Sequence, residues 1–514
     1  MNKNHNGIVG WIWNNKFLLL LMVQIIALFL YNLTQLHMES NYDSSAAYAQ
    51  AMEVWNQKTL FIKNWDYQST GGLDSLLPLA ALLYGITNNI FLSYGIADCL
   101  GTLLFLYIVS DLGKRLHFQK DTVQILCILL LTPYTLGQLG YLPMMFTGAA
   151  YYIFKALLPL LLIDLLFRLN QKEHPWFLYL IYFWLLFFTG FSCGLYLLLC
   201  GIFPVLLWEL WNHRNKSVIV LSSVSLILMF LGIIFSKMYG LTSFTNRMVL
   251  CNASNFIDNC KRWFVGIFEL FGGIPYGEVS VTSLTGIAYV ARMGIVIVLL
   301  ISMIAGIVLL IKRKDKEKIY EMGFFLSVIA INTIVLLLCY TTYGSSTYEY
   351  SYHLIPAMGM LFIAAFFLDQ LCYNMRKPLY LSAFIVLMIG NIVGYSQCYN
   401  VTSNYSQCKK IVSSVKDEKI ELIYYIDDQV STTIDARNAR LVDSKVKVIS
   451  GSSYGEFDRW GASTEFFDLE RISALGHNVA YIFTEASYRK APEDVRSKII
   501  FHSKNDKYMI YYSK

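Results

Sequence analysis

The sequence predicts a polytopic α-helical membrane protein with about eleven transmembrane helices and a small α/β domain at its C-terminal end. Three observations predict it. Of 514 residues, 56% are hydrophobic and only 15% charged, and the mean hydropathy is +0.48. A soluble domain usually carries about 25% charged residues, so the deficit is surface that faces lipid. Several apolar runs reach about 20 residues, the length that crosses a hydrocarbon core of about 30 Å. After residue 396 the apolar runs shorten to strand size.

The first run, residues 17–36, is too long for a signal-peptide core and lacks a small-residue cleavage site, so it reads as a retained helix. The further expected spans are 90–112, 122–140, 151–167, 177–189, 194–211, 218–236, 287–311, 322–343, 354–373 and 379–396. Basic residues collect in alternate short linkers: Lys114 and Arg115, Arg168 and Lys172, Arg214 and Lys216, Lys312 to Lys314, Arg376 and Lys377. The positive-inside bias makes that side cytoplasmic, together with Lys3 and Lys16. An odd number of crossings then places the C-terminus outside. The net charge of +6 is an orientation signal of this kind and does not point to nucleic acid.

Residues 73–87 are apolar but too short to cross, and a full crossing there would swap every later basic loop to the wrong face. They read as a helix lying in the outer interface. The outside therefore holds the loops 37–89, 237–286 and 344–353 and the tail. The domain boundary falls at 396: a transmembrane domain over 1–396 and an extracytoplasmic α/β domain over 397–514. In the tail, strand-like runs at 420–426, 446–449, 479–483 and 508–512 alternate with helical patterns at 405–415 and 433–441.

Polar groups gather toward the outer face. Asp43, in Asn41-Tyr42-Asp43-Ser44-Ser45-Ala46-Ala47-Tyr48, follows the first helix, with Glu39, Asp66 and Asp74 in the same loop. Asp98 lies in the second span, Lys155 at the outer end of the fourth, and Arg292 at the start of the eighth. Arg247, Lys261 and Arg262 lie in the second long loop, and Tyr348, Glu349 and His353 precede the span 354–373. Ionisable groups inside a span cost about 2.5–3.5 kcal/mol at its centre, which marks such residues as functional candidates. Lys155 and Arg292 have an alternative as snorkelling interface residues. Asp164, Glu209 and Asp369, toward the cytoplasmic side, read as solvated helix ends. Asp43 has an alternative as the N-cap of a helix running to about Asn56, a role compatible with catalysis.

The ten cysteines show no metal-ligand spacing. Cys99, Cys127, Cys193, Cys200, Cys339 and Cys372 fall in apolar runs and read as small core residues. Cys251 with Cys260, and Cys398 with Cys408, either close small loops in an oxidising compartment or stand as free thiols.

At these residues the chain resembles GT-C-fold glycosyltransferases that use polyprenyl-phosphate donors, the protein mannosyltransferase and aminoarabinose transferase-like membrane proteins. Asp43-Ser-Ser-Ala-Ala-Tyr48-Ala-Gln-Ala51 resembles their motif after the first helix. Leu77-Pro78-Leu79 through Gly85 is similar to their juxtamembrane segment. Gly190-Phe-Ser-Cys-Gly194 looks like their glycine-marked junction of the fifth and sixth helices. Tyr352-His353-Leu-Ile-Pro356 resembles their Arg-Tyr-x-x-Pro loop. The resemblance covers roughly residues 15–400 in layout.

The resemblance implies transfer of a sugar from a polyprenyl-phosphate donor to a glycan or protein acceptor on the outer face of the cell membrane. Asp43 would take the acceptor proton, and the anomeric carbon would invert. Lys155, Arg247, Arg292, Tyr348, Glu349 and His353 would serve substrate binding, chiefly at the donor phosphate. A divalent metal is left open as a cofactor, with no ligand assigned. The chain departs from the pattern in two places. Ser44 stands where an acid often follows the aspartate, and the loop 140–148 has no acid. The competing readings are a polysaccharide polymerase or ligase, a glycan or lipid transporter, and a non-catalytic scaffold. A transporter would show paired midplane charges or repeated halves, and none is seen in the sequence.

Overall fold

The computed structural model describes residues 11–514 apart from 13, 68–70, 135–139, 194, 214, 239–247, 276, 342–349, 372, 399–404, 417–419, 444, 459 and 460. Seven described helices are long and apolar enough to cross a membrane: Lys16–Thr34, Ile90–Arg115, Leu195–Asn212, Lys216–Met238, Leu284–Arg313, Lys316–Leu338 and Ser351–Gln370. The other four expected spans hold the helices Lys120–Leu131, Ile153–Asn170, Trp176–Cys193 and Tyr373–Cys398, and the first of these covers only part of the expected 122–140.

The chain forms two compact units. The first comprises Met1–Tyr31, Leu73–Ser75 and Cys99–Asn400. Its helices hold together by small residues and polar staples, because lipid offers no hydrophobic drive between apolar helices. Helix Trp176–Cys193 crosses Lys216–Met238 at two glycines. A Cβ on Gly190 would lie 2.3 Å from the Met229 carbonyl oxygen, and one on Gly232 would lie 2.2 Å from that of Phe187. Gly190 thus owes its place to this close approach. Gln24, buried in the first helix, donates 2.5 Å to the Asn391 side-chain oxygen and 3.1 Å to the Ile128 carbonyl. A π-turn at Leu198–Ile202 exposes the Cys200 carbonyl, which accepts from Asn332 at 2.6 Å.

Charges at the expected cytoplasmic ends require a correction. Asp164 and Glu209 are fully buried, not solvated. Asp164 sits 2.8 Å from Arg168 Nε and 3.3 Å from Arg115 Nε, and Arg168 also reaches Asp111 at 2.5 Å. Glu209 accepts from the Tyr320 hydroxyl at 2.6 Å. Asp369, half-buried, accepts from the Gln119 N–H at 2.7 Å and the Thr122 hydroxyl at 3.0 Å. These groups fasten helices to one another.

The second unit comprises Asn32–Gly72, Leu76–Asp98 and Val401–Lys514. Its core is a five-stranded sheet in the order Lys447–Gly451, Leu422–Ile426, Val479–Thr484, Tyr508–Ser513, Ile499–Asn505. The first three strands are parallel and the last two antiparallel. Leu422–Ile426 is buried along its whole length, as befits a central strand covered on both faces. Helices Tyr405–Lys416 and Val430–Arg440 pack on the face that carries Ile423 and Tyr425. Leu422, Tyr424 and Ile426 join Ile472 and Phe483 on the other face.

The loop after the first helix is built into this unit. Helix Tyr42–Gln57 packs on Leu77–Thr87 and on Val430–Arg440. Trp65–Asp66 pairs antiparallel with Ala462–Ser463. Arg440 secures the pair, donating to the Val448 carbonyl at 2.7 Å and the Gly461 carbonyl at 2.9 Å. Cys251, Cys260 and Cys408 are free thiols, and Cys408 donates to the Asp435 carbonyl at 3.3 Å. The side chain of Cys398 lies outside the described residues.

Candidate active site

Helix Tyr42–Gln57 starts at a capping box centred on Asn41. The Asn41 side chain accepts from the N–H groups of Asp43 at 3.0 Å and Ser44 at 2.9 Å, and Ser44 Oγ accepts from the Asn41 N–H at 2.9 Å. The cap is therefore Asn41, and Asp43 lies one residue inside the helix, in its first turn. A carboxylate there is favoured by the helix dipole. With the capping task taken by Asn41, the N-cap alternative no longer accounts for the aspartate.

The turns that follow are held rigidly. Tyr48 is fully buried, edge-on to Phe91 at 5.4 Å and Tyr94 at 4.7 Å. The Tyr94 hydroxyl donates to the Ala47 carbonyl at 3.2 Å. Ahead of the cap, the Ser40 hydroxyl donates to the Asn438 side chain. The tail thus grips the chain three residues before Asp43.

The cationic candidates belong to the first unit. Lys155 and Arg292 are 7% and 5% exposed, so neither snorkels. Lys155 Nζ lies 3.9 Å from Asp74 and 4.7 Å from the Tyr152 ring centre. The Tyr152 hydroxyl donates to Ser351 Oγ at 3.2 Å. Ser351 is in the 3-10 turn Tyr350–His353, which ends at the buried His353. The His353 ring lies against Gly266, where a Cβ would come within 2.5 Å of its Cε1. Gly266 lies in helix Ala253–Leu270, whose C-terminal end leads to Gly272. A Cβ on Gly272 would meet Arg292 Cδ at 3.1 Å and the Tyr134 carbonyl oxygen at 2.1 Å. Arg292 Nη2 donates to the Pro133 carbonyl at 3.3 Å. Helix Ala253–Leu270 and its end therefore connect the surroundings of His353 and Arg292. The Tyr152–Ser351 bond joins Lys155 to the same turn.

Sequence reasoning placed Lys155, Arg292 and His353 as separate candidates and did not see what joins them. Gly266, Tyr152 and Ser351 are the missed residues. Only a glycine inside an otherwise regular helix signals the first of them. Arg247, Tyr348 and Glu349 lie outside the described residues. Lys261 is exposed beside Asp258 at 3.9 Å, and Arg262 pairs with Glu269 at 3.4 Å. Among the described residues, no three His, Cys, Asp or Glu side chains gather as a metal-binding group. Around Lys155, Arg292 and His353 the candidate site is one of cations, aromatic rings and hydroxyls, with Asp74 as the carboxylate beside Lys155.

The architecture defines a class: a membrane protein with the GT-C-like fold of ArnT. The crystal structure of ArnT from Cupriavidus metallidurans bound to undecaprenyl phosphate matches this chain with a TM-score of 0.58 and 11% identity, over 98% of each chain. The apo state of the same protein gives 0.57, again at 11% identity over 98% of both chains. The likeness is one of fold, and it is the fold the sequence led us to expect. No family model and no curated protein sequence matches the chain.

Proposed function

We propose that this protein is a membrane glycosyltransferase that moves a sugar from a polyprenyl-phosphate donor to a glycan or protein acceptor at the outer face of the cell membrane. In this reading the C-terminal unit is extracytoplasmic and the N-terminus cytoplasmic. The observation that carries it is the buried Lys155, with Asp74, Tyr152 and the Ser351–His353 turn around it, in a chain with the fold of an ArnT crystallised with undecaprenyl phosphate. A lipid-borne phosphate at the edge of the hydrocarbon needs cations and hydrogen-bond donors sheltered from water. Lys155, Arg292 and His353 supply them, with Arg247 as a further candidate, while Tyr348 and Glu349 are candidates for binding the rest of the substrate.

The acceptor hydroxyl oxygen attacks the anomeric carbon as the bond from that carbon to the phosphate oxygen breaks. The bonding pair leaves with the polyprenyl phosphate, and the acceptor proton passes to the Asp43 carboxylate. A carboxylate of ordinary pKa near 4 is a weak base. It suffices because the proton becomes acidic only late in the attack, when the phosphate is already leaving.

Donor recognition is tested by titrating purified full-length protein with undecaprenyl phosphate. Lys155→Gln and Arg292→Gln should each bind about tenfold more weakly than wild type, a loss of about 1.4 kcal/mol. Equal binding by folded variants would remove these cations from the donor site.

A further inference from the structure

A cavity of about 460 Å³ opens in the second unit, lined by the outer ends of the first and second expected spans and by the tail. Its lining includes the apolar Leu33, Leu36 and Ile90, of which Leu33 is 42% exposed, and the polar Asn88, Asn89 and Lys409. His37, Phe91 and Tyr405 form a ring cluster on one side. Phe91 and Tyr405 are edge-on at 4.8 Å, and His37 lies 6.2 Å from Phe91 and 6.4 Å from Tyr405.

The charge balance of this cavity is one-sided. Among the described residues that line it, Lys409 is the one lysine or arginine, and none is a carboxylate. Lys409 is exposed on helix Tyr405–Lys416, and no acid among the described residues pairs with it. Leu33 lies in the last turn of Lys16–Thr34 and Ile90 opens Ile90–Arg115, two helices long and apolar enough to cross a membrane. The cavity is large enough for a headgroup and the first part of its chains, since ligand sites run from about 300 Å³ upward.

We infer that this cavity binds the phosphate headgroup of an anionic membrane lipid, with Lys409 against the phosphate and the acyl chains leaving past Leu33 into the bilayer. Burial holds the His37 imidazole below its ordinary value, so it sits there as a neutral hydrogen-bonding group. The Tyr405 phenol is pushed up by burial and keeps its proton. A bound lipid bridges the tail helix to the ends of two membrane helices without any covalent tie. The inference is independent of the transferase reading, because it invokes neither Asp43 nor the Lys155 cluster.

Native mass spectrometry of full-length protein released from detergent tests it, with three probes: dioctanoyl phosphatidylglycerol, dioctanoyl phosphatidylcholine and inorganic phosphate. Phosphatidylglycerol should bind about tenfold more tightly than phosphatidylcholine. Lys409→Glu, at an exposed position, should erase that preference. Leu33→Trp, which closes the rim, should weaken both lipids. Equal binding of the two lipids, or a preference unchanged in Lys409→Glu, would overturn the inference. Inorganic phosphate competing as well as phosphatidylglycerol would overturn the lipid as the source and leave a free-phosphate site.

Discussion

The Ser40 hydroxyl donates to the side-chain oxygen of Asn438, joining the residue before the Asn41 cap to the second helix of the C-terminal sheet domain. Ser40 is 8% and Asn438 1% exposed. The cap fixes the first turn of helix Tyr42–Gln57, so the tail acts on Asp43 through two intervening residues.

Asn438→Ala leaves a buried hydroxyl without this partner. It should cost about 1–3 kcal/mol, the penalty for an unsatisfied buried group. Thermal unfolding should show the loss, and Ser40→Ala in the same background should recover part of it. Additive losses from the two substitutions would mean that the pair is not coupled.

Gly266→Ala should destabilise by about 1–3 kcal/mol, because its Cβ would stand 2.5 Å from the buried His353 ring. His353→Ala should lift most of that penalty when combined with it. Thermal melts of the two single variants and the double variant provide the check.

Lys155→Met strips the buried Asp74 of a cation, and breaking a buried pair costs about 3–5 kcal/mol where the contact is close. At 3.9 Å the loss should fall toward the low end of that range. Asp74→Asn should restore stability in the Lys155→Met background, and donor binding should stay weak in the double variant. Melting temperature and donor affinity, measured together, separate the two roles.

His37 sets a pH dependence. Burial keeps its folded pKa below the ordinary 6.5, so the unfolded chain takes up its proton more readily. Its contribution to stability is complete above about pH 6.5 and declines as the pH falls below it. Between pH 7.5 and 5, wild type should lose more melting temperature than His37→Gln. Among the described residues, the cavity around His37 is lined by Lys409 and by no acid that would offset the incoming charge. An identical pH profile in the variant would contradict this.

Local pattern made much of the fold legible. Apolar runs located the membrane helices, and strand-sized runs located Leu422–Ile426 and Val479–Thr484, because burial on both faces leaves a continuous hydrophobic stretch. The strand Ile499–Asn505 escaped notice, since it is an edge strand with exposed Ile500 and Phe501 and a polar remainder. Asp164 pairs with Arg168 four residues on, which local spacing allows, but its burial also depends on Arg115, far away in sequence, which no local pattern reveals. Of the candidate site, the charged residues were legible by type. Their connection through Tyr152, Ser351 and Gly266 arises only in three dimensions. Asn41 as the cap was open to reading, because Ser44 stands at the third helical position of a capping box, but the aspartate drew the assignment.

The central claim is tested most directly by turnover of purified, folded protein with polyprenyl-phosphate sugars, comparing wild type with Asp43→Asn and measuring released polyprenyl phosphate. The account predicts release by wild type and a loss of at least about 100-fold in the variant, the scale of a general base, with donor binding retained. Wild-type release unchanged by Asp43→Asn would remove this aspartate from the chemistry, and no release with any donor would contradict the transferase itself.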